Sequence, residues 1–570
     1  MFIRLALAGE AFFCFKQPYG TRHRKSNRLY GLLCGLVMEE RRILQNKWFL
    51  YMTEFFSGMG VMAVELGASR LLAPYFSSSQ IVWTIIIGTI MIAMAIGNMW
   101  GGKQADRSTS PDGLYRRILI ASLWIAAIPL FGKYLILAIS ALLVVAVNEN
   151  FLIIAAFLAC MLIFVFPLFL LGTVTPSLAK YAMSNVSESG KTVGALNACN
   201  TIGSIIGTFL PTFVTIPAVG TAATFLIFSG ILLVLSLVYF AVSGKKKTLC
   251  IIAAAVFIFC AVFGNSGSFA FWRDDITYEG ESIYNYLQVT EDERSISLST
   301  NVLIGVQSIY MKQEGLTGMY YDYALAAPIL AGYNEKESFD ILILGMGCGT
   351  YATQCRYFYP VAVTEGVEID QKITDLARTY FSLPEEVIVT TYDGRAFLQA
   401  TDKKYDLIMV DAYQDITIPF QMSSVEFFDQ VSRHLTDDGA MVVNLNMRSD
   451  EPGNINEYLC DTIASVFPEV YTVDVPHSEN RELFAFHDEA QVERLYGFLS
   501  HDAQLRNQIL TVRDAMKEYE GGDLIFTDDQ APVELLGMKV IDSMIGSELQ
   551  YFKDIMEEDG LSGLIQAILS

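Results

Sequence analysis

Asp340-Ile341-Leu342-Ile343-Leu344-Gly345-Met346-Gly347-Cys348-Gly349 decides the fold of the part of this chain that carries chemistry. An apolar run of this length, bounded by glycines, reads as a strand buried on both faces. The three alternating glycines make a turn whose backbone can approach a ligand closely. Outward from this turn, strands and helices alternate, as in a parallel sheet covered on both faces. A helix is expected at about 351–357, and strand 361–369 carries Glu368, with Asp370 just beyond it. Strand 387–391 is followed by Asp393-Gly394, and strand 405–410 has Asp411 at its tip. A helix near 424–435 leads to strand 440–446. Open parallel sheets bind ligands just past the carboxyl ends of their strands, where these acids fall.

Any one of these acids reads equally well as a loop residue or helix cap. Three at successive strand tips form a constellation. Glu368 lies 23 positions after Gly345 (368 − 345), close to the ~20 expected of a carboxylate that hydrogen-bonds ribose hydroxyls. That spacing also admits NAD. Asp393-Gly394 and Asp411 suit S-adenosylmethionine chemistry better, the first beside the adenine and the second facing the sulfonium.

The 570 residues exceed what one compact core holds. Apolar residues make up 52% and charged residues only 18%, a composition that points to lipid for part of the chain. The net charge of −22 is split: residues 1–265 carry 20 Lys+Arg and 9 Asp+Glu, leaving 19 and 52 for residues 266–570. A region at −33 (19 − 52) repels nucleic acid and attracts amines or a sulfonium. The nine cysteines contain no CxxC and the five histidines no HExxH. Neither a zinc site nor another metal-dependent mechanism is expected.

Apolar segments are expected at about 48–74, 81–101, 115–132, 134–148, 151–173, 193–216, 219–242 and 248–264. The N-terminus is basic on both sides of Met38, a candidate start, and belongs in the cytoplasm by the positive-inside rule. If 115–148 is one helix the passes number seven, otherwise eight. Lys245, Lys246 and Lys247 favour seven. Glu65 and Arg70 are candidate polar groups within the bundle. The segment Gly101-Gly102-Lys103-Gln104-Ala105-Asp106-Arg107 resembles a short cytoplasmic loop of major-facilitator transporters.

The acidic half resembles the polyamine aminopropyltransferases (spermidine synthase family) in their membrane-fused bacterial form. The resemblance covers about 280–450. It rests on residues 341–349, Val367-Glu368-Ile369-Asp370, Tyr392-Asp393-Gly394-Arg395, residues 405–413, Tyr320-Tyr321-Asp322, Ser282-Ile283-Tyr284-Asn285 and Thr527-Asp528-Asp529-Gln530-Ala531-Pro532. It implies that Gly345, Gly347, Gly349, Glu368, Asp393, Gly394, Asn285 and Tyr321 bind decarboxylated S-adenosylmethionine as co-substrate. It implies Asp411 as the catalytic base, and Asp322, Tyr413 and Asp415 around a putrescine-like amine. Two departures stand out: Cys348 occupies the place of the family's usual loop acid, and Asp415 lies four residues after Asp411 rather than three.

The expected fold class is therefore an N-terminal polytopic α-helical membrane domain (1–267), a small β domain (268–335), an α/β Rossmann-like S-adenosylmethionine-type domain (336–545) and a helical tail (546–570). The expected partners are a small amine and the lipid bilayer, without nucleic acid or metal, and two copies are expected to pair as soluble relatives commonly do. The implied co-substrate favours eight passes and a cytoplasmic catalytic domain at the cell membrane. Two other functions fit the same residues: a methyltransferase of small amines or lipids, and a polyamine transporter or sensor whose nucleoside domain does not turn over.

Overall fold

A computed structural model describes residues 46–540 apart from 77–78, 108–109, 147–150, 184–188, 245, 266–267, 303–304, 414–417 and 450, together with 554–555. Met38, Lys245, Asp415 and the tail expected at 546–570 lie outside the described residues, apart from 554–555 of the tail.

The N-terminal half is a bundle of α1 (Lys47–Phe76), α2 (Gln80–Arg107), α3 (Asp112–Ala146), α4 (Phe151–Ile163), α5 (Val165–Gly172), α6 (Val174–Ala182), α7 (Ser189–Leu210), α8 (Ile216–Val242) and α9 (Lys247–Phe263). Small residues set its packing. Gly203 lies on the backbone of Phe55 and Gly207 on that of Met59, so α7 runs alongside α1 in the same direction. Phe225 packs on Gly67 and Leu232 on Gly60, so α8 runs back. The reversal falls at Gly220, whose φ of 82° is open to glycine at little cost. By the same reading α1, α3, α7 and α9 point one way, and α2, α4–α6 and α8 the other. Among the described residues that makes seven helical runs of alternating direction.

Residues 115–148, expected as one helix or two, form part of the single helix α3 as far as Ala146. Pro129 lies within α3 without ending it. Of the two readings of that stretch, one helix is the one present. By length and composition five helical stretches can cross a membrane, and one of them, 189–242, contains the reversal at Gly220. Outward faces carry exposed Met91, Ile92, Ile96, Val234, Ile258 and Val262.

A four-stranded antiparallel sheet follows: β1 (Ile276–Glu281), β2 (Tyr286–Glu291), β3 (Ser295–Ser299) and β4 (Ser308–Met311). The sequence pattern marks the last three and not β1. Two short helical turns follow, Tyr321–Ala324 and Ala327–Leu330.

An eight-stranded sheet then forms from β5 (Phe339–Leu344), β6 (Ala362–Glu368), β7 (Ile388–Thr391), β8 (Tyr405–Val410), β9 (Leu435–Leu445), β10 (Glu469–Asp474), β11 (Arg481–Phe486) and β12 (Lys517–Glu518), in the order β12-β10-β11-β9-β8-β5-β6-β7. Strands β5 to β9 are parallel, and β10–β12 extend the sheet antiparallel. Ile341, Ile343, Leu407 and Met409 fill one face, and Leu342, Leu344, Ile408 and Val410 the other, which is why these strands are apolar throughout. This is a Rossmann-like, methyltransferase-type sheet. Its strand order reverses between β5 and β8, where a crevice opens.

The two halves dock at one end of the bundle. The amide of Val302 donates to the Pro74 carbonyl (3.0 Å), and the Tyr75 hydroxyl to the Phe269 carbonyl (3.0 Å). Glu281 accepts from the amide and hydroxyl of Thr221, and Lys133 Nζ donates to the Ser268 carbonyl. Arg70 donates to the Ile283 carbonyl. This gives one of the two polar residues singled out in the helices a partner in the acidic half.

Candidate active site

The crevice between β5 and β8 is a cavity of about 750 Å³, within the range of small-ligand sites. Gly345, Gly347, Glu368, Asp393, Gly394, Asp411 and Tyr413 all lie in its wall, as does Asn285. The glycine turn needs its residue type: Gly345, Gly347 and Gly349 have φ of 82°, 57° and 82°. A Cβ on Gly345 would sit 2.7 Å from the Asp411 carbonyl oxygen.

Glu368 closes β6 and is buried. Its oxygens accept from the amides of Gly347 (2.9 Å) and Asp370 (3.0 Å). Burial still dominates and pushes its carboxyl up to about 7. Each carboxylate oxygen keeps a further lone pair for a hydroxyl donor. Asp393 caps helix Gly394–Ala400, accepting from the Ala396 amide (2.8 Å), so its structural role coexists with its place in the wall. Asp370 caps the helix Gln371–Tyr380 and also accepts from Ser282 and Asn285, fixing the 282–285 loop beside Glu368.

Asp411 is the most elaborated group. The Tyr320 hydroxyl lies 3.0 and 2.9 Å from its two oxygens, and Asn444 Nδ2 donates to Oδ1 (3.1 Å). Burial outweighs both and raises its carboxyl to about 7, with Glu368 adding to the rise. A base poised near neutrality suits proton abstraction.

Other expected residues sit elsewhere. The Tyr321 hydroxyl donates to the Gln307 carbonyl (2.8 Å), and the residue in the cavity wall is its neighbour Tyr320. Asp322 accepts from the Thr317 amide and hydroxyl, the Gly318 amide and Gln354, so it clamps a loop rather than facing the cavity. Gly349 packs on Leu383 behind the turn. Cys348 is buried, its amide donating to Ser308 Oγ (2.9 Å), and burial raises its thiol. Tyr413 is held by its hydroxyl on the Met422 carbonyl (3.0 Å). Arg395 pairs with Asp528 (2.6 Å), anchoring the segment that runs on to 531–535 in the cavity wall.

Sequence reading missed Tyr320, Asn444 and Glu482. Register aligns Glu482 on β11 with Asn444 on β9, next to Asp411. Both Glu482 oxygens are buried without a hydrogen-bond partner among the described residues. Burial and the nearby Asp411 raise its carboxyl well above the usual range. Only pairing across strands distant in sequence reveals this row. Among the described residues no group of acids, histidines or cysteines could hold a metal ion.

A Rossmann-like sheet with acids at three strand tips and a buried carboxyl at its switch point is the architecture of a ligand site. The spermine/spermidine synthase domain family matches residues 327–486. A probable polyamine aminopropyl transferase of Bifidobacterium longum is 48% identical over 357 residues, covering 58% of this chain and 78% of that protein. A polyamine aminopropyltransferase of Vibrio vulnificus is 28% identical over 38% of this chain and 74% of its own length. Among solved structures, a probable spermidine synthase from Corynebacterium glutamicum aligns at 19% identity and a TM-score of 0.34, over 45% of this chain and 99% of that one. The chain belongs to the spermine/spermidine synthase family of polyamine aminopropyltransferases and is a transferase.

Proposed function

We propose that this protein is a membrane-embedded aminopropyltransferase that moves an aminopropyl group from decarboxylated S-adenosylmethionine to putrescine or a closely related diamine. The observation that carries the reading is Asp411, a buried carboxyl raised to about 7 in the wall of the cavity that also holds Glu368 and Asp393. In this reading Glu368 holds the ribose, Asp393-Gly394 the adenine, and the glycine turn the nucleoside edge.

The acceptor arrives as an ammonium ion, since aliphatic amines have pKa values near 10, and cannot attack in that form. Asp411 binds the cation and takes one proton, oriented by Tyr320 and Asn444. The freed lone pair attacks the methylene beside the sulfonium. A C–N bond forms, the C–S bond breaks, and its electron pair leaves with sulfur as neutral methylthioadenosine. General-base help of this kind is worth about 10²–10⁴-fold. Tyr413 shapes the acceptor side, to which the resemblance also assigns Asp415 despite its offset of one residue from the family pattern.

Exposed apolar faces around seven passes support a bilayer location for 1–267, with the small β domain, the transferase domain and the tail assigned as 268–335, 336–545 and 546–570. Lys103 and Arg107, Lys180 and Lys191, and Lys246 and Lys247 flank the end of the bundle opposite the docked half, where Lys47 also enters. By the positive-inside rule that end is cytoplasmic. Seven passes would set the acidic half on the other side of the membrane, whereas the co-substrate favours the cytoplasmic side; the side on which a tag at Ser570 lies decides between them.

The test of the activity is the mass of the product. Purified protein is incubated with putrescine and either decarboxylated or intact S-adenosylmethionine. A gain of one aminopropyl group from the decarboxylated donor is expected. A methyl gain from the intact donor would replace the reading with a methyltransferase, and no gain at all would leave a binding protein.

A further inference from the structure

The cavity is not built by the transferase half alone. Gln80, Ile81 and Thr84, at the start of α2, lie in its wall together with Gly345 and Gly347 of the glycine turn. This turn is tied in place. The Ser79 hydroxyl accepts from the Val82 amide (3.2 Å), and Glu534 Oε2 accepts from the Gln80 amide (2.7 Å). Glu534 belongs to the 531–535 strap, which lines the cavity beside Phe420 and Met422. Met422 in turn packs on Gly394, at the place assigned to the adenine. From the same bundle Arg70 holds the Ile283 carbonyl in the 282–285 loop, and that loop hydrogen-bonds Asp370, two residues from Glu368.

We propose that the first turn of α2 is a donor-binding wall: Ile81 packs on the nucleoside and Gln80 hydrogen-bonds it, so the membrane half supplies specificity residues to the transferase site. The chemistry agrees. An adenine ring needs an apolar surface on its open face and polar partners at its edge. The strand tips and glycine turn give the nucleoside one side of its pocket, and α2 with the strap gives the other. Glu534 fixes the register between the two. This assignment rests on the proposed adenosyl reading of the cavity.

The experiment uses the full chain in lipid nanodiscs, titrated with methylthioadenosine by calorimetry and assayed for the KM of donor and acceptor. Ile81→Asp and Gln80→Ala are expected to weaken nucleoside binding, Ile81→Asp by about tenfold or more, the loss that accompanies exposure of one buried aliphatic side chain. Donor KM rises with it while acceptor KM stays within about twofold, on the scale where 1.4 kcal/mol is tenfold. Glu534→Gln, which keeps the shape of the strap and removes its charge, shows a smaller shift of the same sign. Wild-type binding with unchanged affinity in both α2 variants overturns the wall, as does a change confined to acceptor KM. Failure of the wild-type protein to bind methylthioadenosine overturns the adenosyl reading itself, and the wall falls with it. Unchanged thermal unfolding of the variants separates lost contacts from lost fold.

Discussion

Asp411 concentrates the site's electrostatics in one side chain. Replacing it with asparagine keeps the hydrogen bonds from Tyr320 and Asn444 within reach but removes the proposed base, and turnover should fall about 10²–10⁴-fold. Methylthioadenosine binding should persist. In the parent enzyme kcat/KM should rise with pH through about 7, where Asp411 ionises. A profile flat from pH 5.5 to 8 would remove Asp411 from the role of base. The same groups govern stability. Folded-state values raised above the unfolded ones stabilise the protonated form, so their contribution is full below about pH 4 and is lost as pH rises through about 7 for Asp411 and Glu368. Glu482, with no partner for either oxygen among the described residues, adds a loss of the same sign. Asp411→Asn and Glu482→Gln should therefore be more stable than the parent at pH 8 and equal to it near pH 4, read as unfolding temperature across a pH series. Equal differences at both ends would contradict the assignment.

At the scale of elements, the halves differ in how plainly the sequence states them. The strand tips were legible because a two-sided buried strand must be apolar along its length, as residues 341–344 and 407–410 are. The direction of each helix was not, because an apolar helix looks alike from either end. The packing of α7 on α1 decides it, through Gly203 and Gly207 against the backbones of Phe55 and Met59. Gly203→Leu should force these helices apart. Overpacking of this kind costs typically about 1–3 kcal/mol, and the variant should unfold at lower temperature in detergent. The conservative Gly203→Ala should show the same sign and a smaller effect. An unchanged transition in both would mean that the two helices do not approach so closely.

For the whole molecule, the count of passes matters more than any one of them. On the proposed reading of seven passes, Ser570's half and the basic N-terminal end lie on opposite sides. A periplasmic or extracellular reporter such as alkaline phosphatase should be active when fused after Ser570, and a fluorescent protein that matures only in the cytoplasm should be dark there. The reverse pattern would restore an even number of crossings. Docking also makes the halves one unit around the cavity. Loosening the Thr221–Glu281 contact by Glu281→Ala should lower the cooperativity of unfolding, seen as two transitions where the parent shows one.

Taken alone, the sequence determined the chemistry that the acidic half can attempt: a glycine turn, three acids after three strands, and an apolar region long enough for lipid. These are local patterns, fixed by backbone geometry within a few residues of each other. It could not say which of Tyr320 and Tyr321 reaches Asp411, because adjacent residues on a short helical turn point in different directions and only the docked neighbour selects one. Nor could it place Asn444 and Glu482 beside that base, or bring Gln80 to a cavity whose glycine turn begins 265 residues later (345 − 80). Those are decisions of tertiary structure, since strand order and helix docking join groups that chain separation keeps apart.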